Sequence, residues 1–229
     1  MSGHRVLVVD DEPQILRFLR PALDAAGYEV IEAETGAAAI RDVATKAPDI
    51  VILDLGLPDM DGKDVITRLR GWSQIPIIIL SARDRESEKI AALDLGADDY
   101  IEKPFGIGEL TARIRSALRH SLKTDAILET VRSDGLKIDF VHRLVDRDGN
   151  NIKLTPKEYD LLAILARHAG KVVTHKTLLT AVWGPAHAED MQYLRVFIGQ
   201  LRFKIERDPA VPRIVSTEPG VGYRFLEME

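Results

Sequence analysis

The chain has 229 residues, 45% hydrophobic and 29% charged, with no cysteine and a formal net charge of −5. This composition is ordinary for a soluble globular protein and excludes disulfides and thiolate metal sites, while the length suits two domains of average size. The charge is uneven: residues 1–121 carry 15 Lys/Arg against 21 Asp/Glu, residues 122–229 carry 16 against 15, which fits two halves with different tasks.

The opening "MSGHRVLVVDDE" turns acidic after a few apolar positions, so no secretion signal is expected. No apolar run approaches the ~20 residues that span a bilayer, so a cytoplasmic protein without membrane insertion is expected.

Residues 1–120 alternate strand and helix patterns. Strand-like runs are "RVLVV" (5–9), "YEVIEA" (28–33), "IVIL" (50–53), "PIIIL" (76–80) and "DDYIE" (98–102). Between and after them lie helical patterns, from "PQILRFLRPALDAAG" to "GIGELTARIRSALRH"; Pro21 inside the first is a local flaw. Five βα units of this kind predict a flavodoxin-like (βα)5 domain, whose parallel sheet is covered on both faces. The uniformly apolar central strands follow from that cover.

Function in such sheets collects at the carboxyl ends of the strands. Asp10, Asp11 and Glu12 follow the first strand, Asp54 the third, Ser81 the fourth and Lys103 the fifth. Converging carboxylates repel unless a cation lies between them, and an all-oxygen set favours Mg²⁺. An aspartate can also carry a phosphoryl group, with Mg²⁺ and a lysine ammonium neutralising the phosphoryl oxygens. A dinucleotide site is excluded, because "VVDDEPQ" offers acids where G-x-G-x-x-G is needed.

"VVDDE", "LDLGLPDMDG", "LSA" and "GADDYIEKPF", in this order and spacing, resemble the receiver domain of two-component response regulators over the whole first half. The resemblance implies that Asp54 accepts phosphoryl from a sensor histidine kinase, with Asp10, Asp11 and the Gly56 carbonyl helping to hold Mg²⁺. It implies that Ser81 is the switch hydroxyl, Tyr100 the switch aromatic and Lys103 the phosphoryl-binding lysine. It also implies dimerisation through the last two βα units, with Lys89 pairing with Glu109, and Asp99 with Arg113, across a two-fold axis. From the residues alone, Glu109 and Arg113 could equally pair within their own helix at i,i+4.

Residues 121–127, "SLKTDAI", read as a short polar linker, and 128–229 as a second domain. Short strand-like pieces around the turn "DGN" favour a hairpin. Next, "LTPKEYDLLAILARHAG" starts with Thr155 as N-cap, Pro156 at the first helical position and Glu158 at the capping-box position. "VVTHKTLLTAVWG" predicts a helix from Thr174 to Gly184, and "AEDMQYLRVFIGQLRFKIERD" a longer third one. The stripe Leu194, Phe197/Ile198, Leu201 and Ile205 is spaced for a core. The other face shows Gln192, Arg195, Gly199 and Arg202, flanked by Gln200 and Lys204.

Three helices followed by the hairpin pattern "RIVSTEPGVGYRFL" make a winged helix-turn-helix of α+β class, whose third helix enters the major groove of double-stranded DNA. "LTPKEYDLL", "LLTAVWG", "LRFKIE" and "GVGYRF" resemble the OmpR/PhoB class of DNA-binding domains, which implies a promoter-binding transcriptional regulator. Gly199-Gln200 replaces a basic pair common in that class, and Pro219 stands where the wing often has arginine. Arg195 is therefore the expected base contact, with Arg202 and Lys204 as phosphate ligands. These departures, with "KPFGIGEL" and "YLRVFIGQLR", resemble the Kdp-type branch, implying control of a high-affinity potassium-uptake operon; RNA polymerase is a further candidate partner. Two other readings stand beside this one: a metal-dependent phosphohydrolase with an aspartyl-phosphate intermediate, and a receiver joined to a protein-binding winged helix.

Overall fold

The computed structural model describes residues 3–82, 86–121 and 129–227 and divides into two compact units, residues 1–122 and 123–229. In the first, strands β1 (Arg5–Val9), β2 (Glu29–Ala33), β3 (Ile50–Asp54), β4 (Ile77–Ala82) and β5 (Asp99–Lys103) form one parallel sheet in the order β2-β1-β3-β4-β5. Helices α1 (Pro13–Ala25), α2 (Gly36–Lys46), α3 (Gly62–Arg70), α4 (Glu86–Asp94) and α5 (Ile107–Ser121) follow the five strands in turn. The order reverses between β1 and β3, which places the switch point of the sheet at the ends of those two strands.

Val6 to Val9, Ile50 to Leu53 and Ile77 to Leu80 are buried without alternation, because helices cover both faces. On one face Leu16, Leu19 and Leu23 of α1, at helical spacing, pack with Leu110, Ile114 and Leu118 of α5. Helix α1 runs on through Pro21, whose missing N–H costs one intrahelical bond but does not end the helix. Residues 122–127 of the expected linker lie outside the described residues; Ser121 is the last residue of α5.

The second unit begins with an antiparallel four-stranded sheet, β6 (Thr130–Ser133), β7 (Leu136–Asp139), β8 (Leu144–Arg147) and β9 (Asn150–Asn151). The β8–β9 turn places Asp148 and Gly149 at positive φ, the geometry that the expected hairpin requires. Helices α6 (Pro156–Arg167), α7 (His175–Trp183) and α8 (Met191–Ile205) surround a core of Leu161, Leu162, Leu165, Leu178, Leu179, Leu194, Ile198 and Leu201. Thr155 and Glu158 form the full capping box of α6, and Thr174 caps α7.

Two details differ from the sequence expectation. Helix α8 is shorter than the 188–208 pattern: a 3₁₀ turn over Pro185–His187 precedes it, and at the other end Glu206 is extended, with its carboxylate accepting the N–H groups of Arg213, Ile214 and Val215. The C-terminal hairpin of β11 (Val215–Glu218) and β12 (Gly222–Phe225) gains a third strand, β10 (Val172–Thr174), which pairs with β12. Three residues are too few to show strand alternation, so β10 carries no periodic signal of its own.

Candidate functional site

Strands β1 and β3 are neighbours in register Val9↔Leu53, so Asp10 and Asp54 emerge side by side at the carboxyl edge. Lys103, at the end of β5, reaches back across that edge. Its Nζ donates to Asp54 Oδ1 at 2.6 Å and to Asp10 Oδ2 at 3.0 Å, and lies 3.6 Å from Glu12 Oε1. Each carboxylate turns its other oxygen to a backbone donor. Asp54 Oδ2 accepts the Gly56 N–H at 2.7 Å, and Asp10 Oδ1 the Glu12 N–H at 2.9 Å. Asp10 is fully buried, and that burial holds its carboxyl above the usual aspartate range against the pull of the Glu12 N–H and Lys103. Burial also opposes the charge on Lys103, but its bonds to Asp54 and Asp10 outweigh that and raise its pKa. The peptide bond after Lys103, leading into Pro104, is cis.

The three carboxylates expected to hold one ion do not all meet in this arrangement of side chains. Among the described residues no three acidic or histidine side chains are gathered around a metal point. Lys103 itself supplies the charge between Asp10 and Asp54, while Asp11 is exposed. The donors nevertheless match Mg²⁺ in kind: carboxylate oxygens at the switch point and the Gly56 backbone beside them are hard ligands, and Mg²⁺ keeps several waters.

Loop 55–61 after the Asp54 strand is fixed from an unexpected side. Asp59 accepts the N–H groups of Gly36 at 2.8 Å and Ala37 at 2.9 Å, while Thr35 accepts that of Ala38, so together they cap α2. These bonds hold the Asp59 carboxyl below its usual range. Gly62, which opens α3, is required here: a Cβ would lie 2.7 Å from Leu55 Cα and 2.8 Å from the Asp54 carbonyl. In the sequence, Asp59 looks like one more polar residue of a Pro- and Gly-punctuated loop.

Ser81 and Tyr100, the expected switch pair, are both buried. Lys89 is only 2% exposed; its Nζ donates to Glu102 Oε1 at 2.5 Å and sits 5.4 Å from the centre of the Tyr100 ring. It is thus turned into its own chain rather than toward Glu109. Asp99 and Arg113, expected to pair across a two-fold axis, pair here within one chain: Nη1 lies 3.0 Å from both carboxylate oxygens. Arg113 also reaches Glu109 Oε1 at 3.1 Å through Nη2, the i,i+4 alternative.

The residues expected to touch DNA divide into two groups. Gln192, Arg195, Gly199 and Gln200 are exposed on α8. Arg202 and Lys204, the residues expected to be phosphate ligands, are half-buried and make hydrogen bonds within the unit. Arg202 donates through Nε and Nη2 to the Val215 carbonyl at 3.1 and 2.7 Å, and through Nη2 to Thr217 Oγ1 at 2.8 Å, tying α8 to the terminal hairpin. Lys204 Nζ lies 2.6 Å from Glu158 Oε2. Two apolar residues share the open face instead: Val196 is 57% exposed and Phe203 79%. They fall seven apart, at helical spacing, on the side opposite Leu194, Ile198, Leu201 and Ile205, a relationship that a search for basic residues passes over.

Known proteins place these two units in one class. A "Response regulator receiver domain" pattern matches residues 6–115, and a "Transcriptional regulatory protein, C terminal" pattern residues 149–225. The chain belongs to the response regulators of the OmpR/PhoB class, with a receiver domain followed by a DNA-binding domain. Among its relatives in that class are the KDP operon transcriptional regulatory protein KdpE of Escherichia coli and KdpE of Mycobacterium tuberculosis. Each is 52% identical over 96% of this chain and 98% of the relative. A solved structure, response regulator DrrB of Thermotoga maritima, described as an OmpR/PhoB homolog, shares 32% identity with a TM-score of 0.51, covering 98% of this chain and 99% of that one.

Proposed function

We propose that the chain is a phosphorylation-controlled transcriptional regulator, with Asp54 as phosphoacceptor and an operon of the Kdp type as target. The observation that carries this is the position of Lys103, whose ammonium touches both Asp54 and Asp10 at the switch point of the sheet. An Asp54 oxygen attacks phosphorus, the N–P bond of a kinase phosphohistidine breaks, and its electron pair stays on the imidazole nitrogen, which takes up a proton. Lys103 is placed to share the charge that builds on the phosphoryl oxygens, and the Gly56 N–H to orient Asp54. Mg²⁺ bound by Asp10, Asp11, Asp54 and the Gly56 carbonyl would supply further positive charge to those oxygens.

The phosphorylated chain, in this reading, dimerises through α4, β5 and α5. Lys89 then leaves Glu102 for Glu109 of a second copy, and Arg113 exchanges its own Asp99 for that of the partner. Phosphorylation can favour the dimer only as far as it favours that exchange. The relatives named as KdpE transcriptional regulatory proteins support a promoter target rather than an enzymatic role, and the receiver family supports a histidine kinase as donor; a cytoplasmic site of action belongs to the same proposal. Among the described residues no helix is long and apolar enough to cross a membrane. Sedimentation with and without beryllofluoride tests the dimer: a rise in mass supports it, and an unchanged mass refutes it. A gel shift on promoter duplex tests the output; binding only to protein would favour the rival winged-helix reading.

A further inference from the structure

The outward face of α8 has little charge. With Arg202 and Lys204 held by Val215, Thr217 and Glu158, Arg195 is the cation left exposed on that helix. The line directly opposite the core consists of Gln192, Val196, Gly199 and Phe203. Two large apolar groups on the open face of a helix that the DNA-binding reading puts in a groove match the apolar feature that such a groove offers.

Gly199 gives a second, independent indication. A glycine inside a helix is destabilising relative to alanine, and one is normally kept there because a neighbour leaves no room for a Cβ. At Gly199 nothing lies within 4 Å of where a Cβ would be, so the fold itself gives no reason for it. A surface that approaches from outside does.

We propose that α8 reads A·T base pairs through the 5-methyl groups of thymine, with Val196 and Phe203 as the residues that touch them and Gly199 allowing the close approach. In the major groove the thymine methyl is the one apolar feature of the four bases, and adenine offers the pattern that a glutamine amide pairs with. Gln192 and Gln200, exposed beside the apolar pair, provide such amides. Seven residues at 1.5 Å rise separate the two contacts by about 10 Å, or about three base-pair steps. This inference rests on the DNA-binding reading and adds the base class and the residues that select it.

The test uses the full chain, activated by beryllofluoride, on a pool of random-sequence duplexes. Bound sequences are selected, and each thymine of the resulting site is then replaced by deoxyuridine, which lacks only the methyl. Two positions about three base pairs apart in each half-site should each lose about fourfold in affinity, the equivalent of one methyl returned to water. The loss should vanish at one of them in Phe203→Gln and at the other in Val196→Ala; both side chains are exposed, so unfolding midpoints should be unchanged. A selected site with no sensitivity to deoxyuridine, or with the same sensitivity in both variants, overturns the proposal while leaving DNA binding intact. Should no duplex be enriched at all, the DNA-binding reading itself fails. If Phe203→Gln lowers self-association and leaves the base preference alone, the face belongs to a second copy of the chain, and the proposal is again overturned.

Discussion

Lys204 and Glu158 form a 2.6 Å ion pair that joins the last turn of α8 to the capping box at the start of α6. Glu158 is almost fully buried and also accepts the Thr155 N–H at 2.7 Å, so removing the lysine strips the charged donor from a buried carboxylate. Lys204→Ala should therefore destabilise the chain by about 1–3 kcal/mol in urea unfolding. The salt dependence of DNA binding should stay unchanged. A flatter salt slope with unchanged stability would return Lys204 to the role of phosphate ligand.

The same pair sets a pH dependence. Burial pushes the Glu158 carboxyl up, but the bonds from Lys204 and Thr155 outweigh it and leave its pKa lowered. A lowered carboxyl stabilises the fold above its unfolded pKa and loses that contribution as pH falls through the folded one. The stability advantage of the wild-type chain over Glu158→Gln should thus be full near neutral pH. It should shrink as the pH drops below the ordinary glutamate range, as read from unfolding midpoints at a series of pH values. A difference that stays constant on acidification would show that Glu158 does not act through its charge.

Asp59 ties the loop after the phosphoacceptor to the N-terminus of α2. Asp59→Ala should lower the unfolding midpoint of the chain and slow phosphoryl uptake from a small-molecule donor, because Gly56 sits in the loop it anchors. Asp59→Asn, which keeps an acceptor oxygen, should recover most of both. Uptake at the wild-type rate in Asp59→Ala would show that the loop holds its shape without this anchor.

Glu102 holds Lys89 inside its own chain, with the ammonium over Tyr100. Neutralising it in Glu102→Gln removes the intrachain competitor for the partner's Glu109. Sedimentation in beryllofluoride should then show dimer at lower protein concentration than in the wild type. Weaker dimerisation would mean that the Lys89–Glu102 pair supports the contact surface rather than competing with it.

Much of this was legible in the residues themselves. Unbroken apolar runs marked β1, β3 and β4, and the polar residues just past them marked the edge where Asp10, Asp54 and Lys103 meet, because strand ends in a parallel sheet share one side. Thr155, Pro156 and Glu158 announced the start of α6 through local chemistry alone. Partnerships across the fold were not legible. That Lys204 and Arg202 are consumed by Glu158 and by the Val215 carbonyl depends on how α8 lies against α6 and β11, and a basic residue looks the same in sequence whether it faces solvent or a buried acceptor. Val196 and Phe203 were missed for the complementary reason: apolar residues are read as core until the opposite face is known to be occupied.

The central claim is that Asp54 carries the phosphoryl group. Incubating the chain with Mg²⁺ and a small phosphoryl donor, then fragmenting it for mass spectrometry, tests this without any kinase. One phosphoryl group is predicted on the peptide that contains Asp54, acid-stable and base-labile, and none on Asp54→Asn. A label that persists on the variant, or that maps to another residue in the wild-type chain, would contradict the account.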